Sequence, residues 1–243
     1  MSSQRPQLLK RCALALLLLA AGSTAALAQS DQTNKGGATT TRAKPTPQSL
    51  VDAADRTFSN FMRDPEMDWL HHNIGRAKAV LIAPEVAKAG FIFGGSGGRA
   101  VLVVRKGGRW VGPSFYTLAT ASVGFQAGIS VSEMLTLVMT DKGLDSLLSD
   151  SFKIGPDASI AAGPVGAGAK ADVITDLVTY SRSKGLYGGI NLDGTVVAVS
   201  NEWNDAYYRK NVNAPDILVR GNAHNKGADR LLGNVARAAG KRR

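Results

Sequence analysis

Gly94-Gly95-Ser96-Gly97-Gly98 carries two spacings that do chemistry in the right setting. Gly94-x-Ser96-x-Gly98 is the nucleophile-elbow spacing, in which a sharp strand-to-helix turn exposes the serine and a backbone N–H stabilises an oxyanion. Gly95-x-Gly97-x-x-Ala100 is the dinucleotide spacing, in which a helix N-terminus receives a pyrophosphate. Both need a helix next, and Val101-Leu102-Val103-Val104 follows instead, β-branched and strand-forming. The dinucleotide reading is rejected. A serine hydrolase using Ser96 stays as the enzymatic alternative, with His71, His72 and His224 the histidines available to a triad. His71 and His72 are adjacent, so on a helix they project about 100° apart rather than toward one metal ion. Asp141, Asp145, Asp150 and Asp157 lack the glycine and glutamate of a calcium loop and read as caps and turns. No metal or cofactor is expected, and no catalytic residue is assigned.

The cations are the more productive pattern. Arg99, Arg105, Lys106 and Arg109 fall on or beside two glycine-rich stretches, with Trp110, Phe115 and Tyr116 close by in sequence. Arg182 and Lys184 form a second candidate patch. Cations at turn tips beside aromatics suit an anionic membrane surface, where each Lys or Arg contributes about 1 kcal/mol. The chain carries a net charge of +10, which points to anionic phospholipid, acidic polymers or nucleic acid as partners.

The N-terminus bears on which of these it meets. Arg5, Lys10 and Arg11 precede the apolar run Ala13 to Ala21, and Ala26-Leu27-Ala28 offers a cleavage site. Residues 1–28 therefore read as a signal peptide, and the run falls short of the roughly 20 residues that a membrane span needs. Cleavage would remove Cys12, the only cysteine, so disulfides are not expected to hold the fold. Export to the periplasm or cell envelope argues against nucleic acid as a partner.

The elements that position these cations follow from periodicity. Residues 29–46 are polar and read as a disordered leader. Leu50, Val51, Ala54, Phe58, Phe61 and Met62 recur at helical spacing, with Thr46 or Ser49 as N-cap and Pro65 ending the run. Met67, Leu70 and Ile74 predict a second short helix closed by Gly75. Ala79 to Ile82 reads as a strand, and Pro84 to Ala89 as a helical turn. Phe91 to Val104 reads as strand, glycine turn, strand, and Lys106 to Arg109 as a further turn. Strand patterns continue at Val123 to Ile129, Glu133 to Thr140, Ser159 to Ala171, Leu177 to Ser181, Gly185 to Leu192 and Thr195 to Ser200. Asp193-Gly194 predicts a hairpin between the last two. Asp141 to Leu148, Asn201 to Tyr208 and Leu231 to Ala239 predict helices. The fold class is α+β: a strongly curved antiparallel sheet or barrel-like core, with helices at both ends and a basic tail over 221–243.

Several stretches, in order, resemble the SYLF family of lipid-binding domains. They are Ala87 to Gly98, Trp110-Val111-Gly112-Pro113, Gly124-Phe125-Gln126-Ala127-Gly128, Ala161 to Gly166 and Tyr180 to Gly189, with Asn201 and Tyr207-Tyr208 later. The likeness runs from about Leu50 to Leu218, within a domain expected over residues 47–220, and implies a non-catalytic binding module. Family members bind phosphoinositides, and some bind actin. In an exported chain the implied ligand is generic anionic phospholipid, with a protein or cell-wall partner as the alternative, and export argues against actin. Trp110, Pro113, Gly124, Gln126, Gly128, Gly163, Pro164 and Gly185 are expected to hold the fold.

Overall fold

Ala79-Val80-Leu81-Ile82 and Ala100 to Val104 are apolar at every position, whereas a strand with one wet face alternates. The computed structural model describes residues 44–90, 93–123, 128–166, 173–183, 186–187, 192 and 194–240, and shows the reason. Each face of the sheet is covered by its own apolar layer. Val80, Ile82, Val101, Val103, Leu135 and Leu137 face one core, and Ala79, Leu81, Ala100, Leu102, Met134 and Val138 face the other.

The chain opens with α1 (Pro47–Arg63) and α2 (Asp68–Asn73). Thr46 caps α1 by accepting from the Ser49 N–H, and Ser49 returns a bond to the Thr46 N–H, so two otherwise orphaned donors are satisfied. The helical stripe buries Val51, Ala54, Phe58 and Phe61 against the sheet. Each buried phenylalanine contributes roughly 1.5–3 kcal/mol. Four long strands follow: β1 (Ala79–Gly90), β2 (Phe93–Lys106), β3 (Arg109–Val123) and β4 (Gly128–Val138). Then come α3 (Asp141–Leu148), β5 (Ser151–Lys153), β6 (Ile160–Ala162), β7 (Leu177–Ser183), β8 (Leu186–Tyr187) and β9 (Val196–Val199). Helices α4 (Asn201–Tyr208) and α5 (Asp229–Gly240) close the chain.

Among the described residues, nine strands form one sheet in the order β5-β9-β3-β2-β1-β4-β7-β6, with β8 on β7. Pairing is antiparallel except between β6 and β7. The sheet curls into a half-barrel, so the expected α+β class and strong curvature hold. Register shifts at Ile82/Glu85, Ala83/Val86 and Leu102/Val104 insert the extra residues that bend it.

Two expectations change. Pro84 to Ala89 is strand, not a helical turn: Pro84 sits at the bulge, where its missing N–H breaks no ladder, and Val86 packs into the second core. Gly94 to Gly98 lies inside β2 rather than in a turn, hydrogen-bonded between β1 and β3, with the β1 backbone too close for a side chain at Gly98 and the β3 backbone tight against Gly95. The expected Asp193-Gly194 hairpin falls largely outside the described residues; the Thr195 N–H donates to the Leu192 carbonyl oxygen at 2.9 Å. Strand β8 pairs with β7, and β9 pairs with β3 and β5. Phe91, Ile92, Gly124 to Ala127, Lys170, Gly185 and Asp193 lie outside the described residues.

Asp176 ties α3 to β6 and β7. Its carboxylate accepts from the Thr140 hydroxyl, from the Ser159 N–H at 2.9 Å and from the Ser159 hydroxyl at 2.8 Å, while Thr140 also caps α3. The Thr140 bond foremost, then those from Ser159 and the Lys142 charge, outweigh the cost of burial and push its carboxyl down to about 2. An unfolded Asp titrates near 3.9. The stabilisation is therefore complete above about pH 4 and is lost as pH falls toward 2. Thermal midpoints measured from pH 5 to pH 2 should fall more steeply for the native chain than for Asp176→Asn. Parallel curves would show that Asp176 is not the titrating link.

Candidate binding surface at the β2–β3 turn

A two-residue hairpin whose central residues both have positive φ matches the twist of its strands, and glycine adopts that backbone without strain. Gly107 (φ 54°) and Gly108 (φ 78°) form such a turn between β2 and β3. The register then makes Lys106 and Arg109 directly opposed cross-strand partners. Opposed residues stand about 4.5–5.5 Å apart at Cβ, and like charges there repel. Arg105 lies beside them, and all three are exposed.

The surroundings of the turn are also basic. Arg105 donates to the Gly75 carbonyl oxygen at 2.5 Å, and Arg76, next in sequence, is exposed. Lys106 donates to the Val219 carbonyl oxygen, which brings the exposed Val219 beside the cations. Arg220 pairs with Asp216, holding that carboxyl below its ordinary value. Lys78 pairs with Asp141 at 2.8 Å. The result is a basic rim with one exposed apolar side chain.

The other expected cations lie elsewhere. Arg99 is six residues before Arg105 on the same strand, about 20 Å away at roughly 3.3 Å per residue. Its guanidinium sits 4.3 Å from the centre of the Trp203 ring. Arg182 is only 18% exposed, lying 2.5 Å from Glu133 and 3.8 Å from Asp64, with its guanidinium 5.3 Å from the Phe61 ring centre. Lys184 lies outside the described residues. At the turn Lys106 and Arg109 share one face of the sheet and Arg105 projects from the other, while Arg99 and Arg182 are held at separate places on the helix-covered face.

Ser96 lies mid-strand, opposite Lys88 on one side and Thr120 on the other, so no strand-to-helix elbow surrounds it. His71 bonds to the Phe61 carbonyl oxygen, His72 faces Asp68 and His224 faces Asp229. Spacing in sequence did not reveal Arg76 and Val219 as members of the turn surface. They arrive from α2's end and from the segment after α4, and only tertiary contact shows it.

A family model described as "Las17-binding protein actin regulator" matches residues 119–238. The human SH3 domain-containing YSC84-like protein 1 is 31% identical over 153 residues, 60% of this chain and 44% of the relative. LAS seventeen-binding protein 3 of Saccharomyces cerevisiae is 33% identical over 151 residues, 59% of this chain and 33% of the relative. Protein YSC84 of the same yeast is 31% identical over 151 residues. The chain therefore spans less than half the length of these relatives. The expectation that export argues against actin is corrected here: the matched family is described as an actin regulator, so actin cannot be set aside on that ground. A family model over β4 to β9 and the C-terminal helices, relatives in animals and yeast, and motifs in matching order agree that the chain belongs to the SYLF (Ysc84) family of binding domains.

Proposed function

We propose that this chain is an exported, non-catalytic domain that docks on anionic phospholipid through the β2–β3 turn. The observation that carries the reading is the opposition of Lys106 and Arg109 across Gly107-Gly108. A fold that spends stability on holding like charges together supports a role for their joint field, which an anionic surface would relieve. Exposed Val219 beside them suits shallow contact with the apolar edge of such a surface. Export rests on the n-region, apolar run and cleavage site of residues 1–28. Among the described residues no helix is long and apolar enough to cross a membrane.

The test is co-sedimentation with anionic and neutral vesicles at low and high salt. At roughly 1 kcal/mol per cation, Lys106→Glu with Arg109→Glu should weaken anionic-vesicle binding at least about thirtyfold. Lys106→Glu alone should also weaken binding while leaving the thermal midpoint unchanged or slightly raised, since it turns a repulsive pair into an attractive one. Binding unaffected by either change, or equal on neutral vesicles, would sink the reading. The family description favours a second reading, docking on an actin filament or a Las17-like protein by the same cations. Pelleting with filaments but not with vesicles, lost in the double variant, would select it.

A further inference from the structure

Helices α1 and α5 lie side by side and run in the same direction. Gln48 reaches Gly227, Asp55 reaches Arg230, and Asn234 donates to Asp55 further along. Their C-terminal ends therefore share one end of the layer, and α2 turns back across it. Between the three helices lies a groove of about 610 Å³, within the size range of small-molecule sites. Phe58, Met62 and Ala238 give it an apolar lining, and Arg63 and Arg237 bring two guanidinium groups to it.

The charge balance decides what such a groove suits. Arg63 makes no ion pair among the described residues, and Arg237 donates only to the neutral Asn234 amide oxygen. Each helix end carries about half a negative charge, so two full cations there exceed what the helix dipoles answer. Asp68 is the carboxylate lining the groove; it opens α2, whose N-terminal partial charge answers it, and it faces His72 at 3.4 Å. The His71 ring is turned to the Phe61 carbonyl oxygen. An apolar floor with two under-compensated guanidinium groups is complementary to an anionic head on a single hydrocarbon tail.

We infer that the groove between α1, α2 and α5 binds a single-tailed anionic amphiphile. Its phosphate or carboxylate head sits between Arg63 and Arg237, and its tail lies along Met62 and Phe58. The site is a small-molecule site and stands whether or not the β2–β3 turn docks on vesicles.

Titration calorimetry of the full chain, below the micelle concentration, tests it with dodecyl phosphate and lauric acid as probes and with dodecanol and inorganic phosphate as controls. Both probes should bind, and Arg63→Gln with Arg237→Gln should weaken them about tenfold or more. Ala238→Trp fills the groove and should abolish binding. A diazirine-bearing laurate should crosslink to α1 or α5 in the native chain, which gives a readout that needs no variant. Arg63→Gln alone should leave vesicle pelleting unchanged, and Lys106→Glu with Arg109→Glu should leave probe binding unchanged, so the two sites fail separately. Absence of probe binding, dodecanol binding as tightly as laurate, inorganic phosphate binding as tightly as dodecyl phosphate, or crosslinks confined to other elements would overturn the assignment.

Discussion

Gly98→Ala is expected to destabilise the domain by about 3 kcal/mol, lowering its thermal midpoint by roughly 6–12 °C. A Cβ at this position would stand 2.4 Å from the Glu85 carbonyl oxygen and 3.2 Å from the Val86 Cα. Both are backbone atoms, fixed at the bulge where the β1 register steps from Ile82 to Glu85. A side chain could rotate away, but a paired strand cannot without giving up ladder bonds on both sides. Gly97→Ala is the internal control. Its Cβ would meet the Leu118 carbonyl oxygen at 3.4 Å, ordinary contact, so its midpoint should stay within a few degrees of the native value. Equal midpoints for the two variants, measured by circular dichroism, would show that the bulge yields.

Asn204→Ala should cost about as much, by a different route. Asn204 is fully buried on α4, and its side-chain oxygen accepts from the Phe115 N–H at 2.9 Å and the Ser114 hydroxyl at 3.2 Å. Alanine leaves two buried donors on β3 without an acceptor, at about 1–3 kcal/mol each. Removing one orphan should then help. Adding Ser114→Ala to Asn204→Ala should recover roughly 1 kcal/mol, although Ser114→Ala alone is mildly destabilising. Chemical denaturation of the four proteins gives the coupling directly. Strictly additive losses would mean that Asn204 acts through packing and not through these bonds.

Asn204 shows where reading the sequence stopped. The helix Asn201 to Tyr208 was legible from its pattern, yet nothing in the pattern says that its fourth residue supplies the acceptor for a strand some ninety positions earlier. The same division recurs at Asp176, whose partners Thr140 and Ser159 come from two other segments. In the glycine stretch, local preference read Gly94 to Gly98 as a turn because glycine is frequent in turns. The sheet uses Gly95 and Gly98 for close approach between strands, a requirement that exists only once β1 and β3 flank them.

By itself the sequence determined what depends on neighbours within a few residues. This covers the capped amphipathic helix α1, the short helices α3 and α4, the basic turn Lys106 to Arg109, and the motif order that marks the family. Hydrophobic period and capping are local, and so is the backbone demand of a two-residue turn. Only the tertiary structure decided which cations act together. Strand register opposes Lys106 to Arg109, while one strand's length carries Arg99 away and two carboxylates hold Arg182. It also decided that the C-terminal ends of α1 and α5 meet, bringing Arg63 to Arg237 across more than 170 residues of chain. Charge clustering depends on distance in space, and folding sets that distance through contacts that no local pattern records.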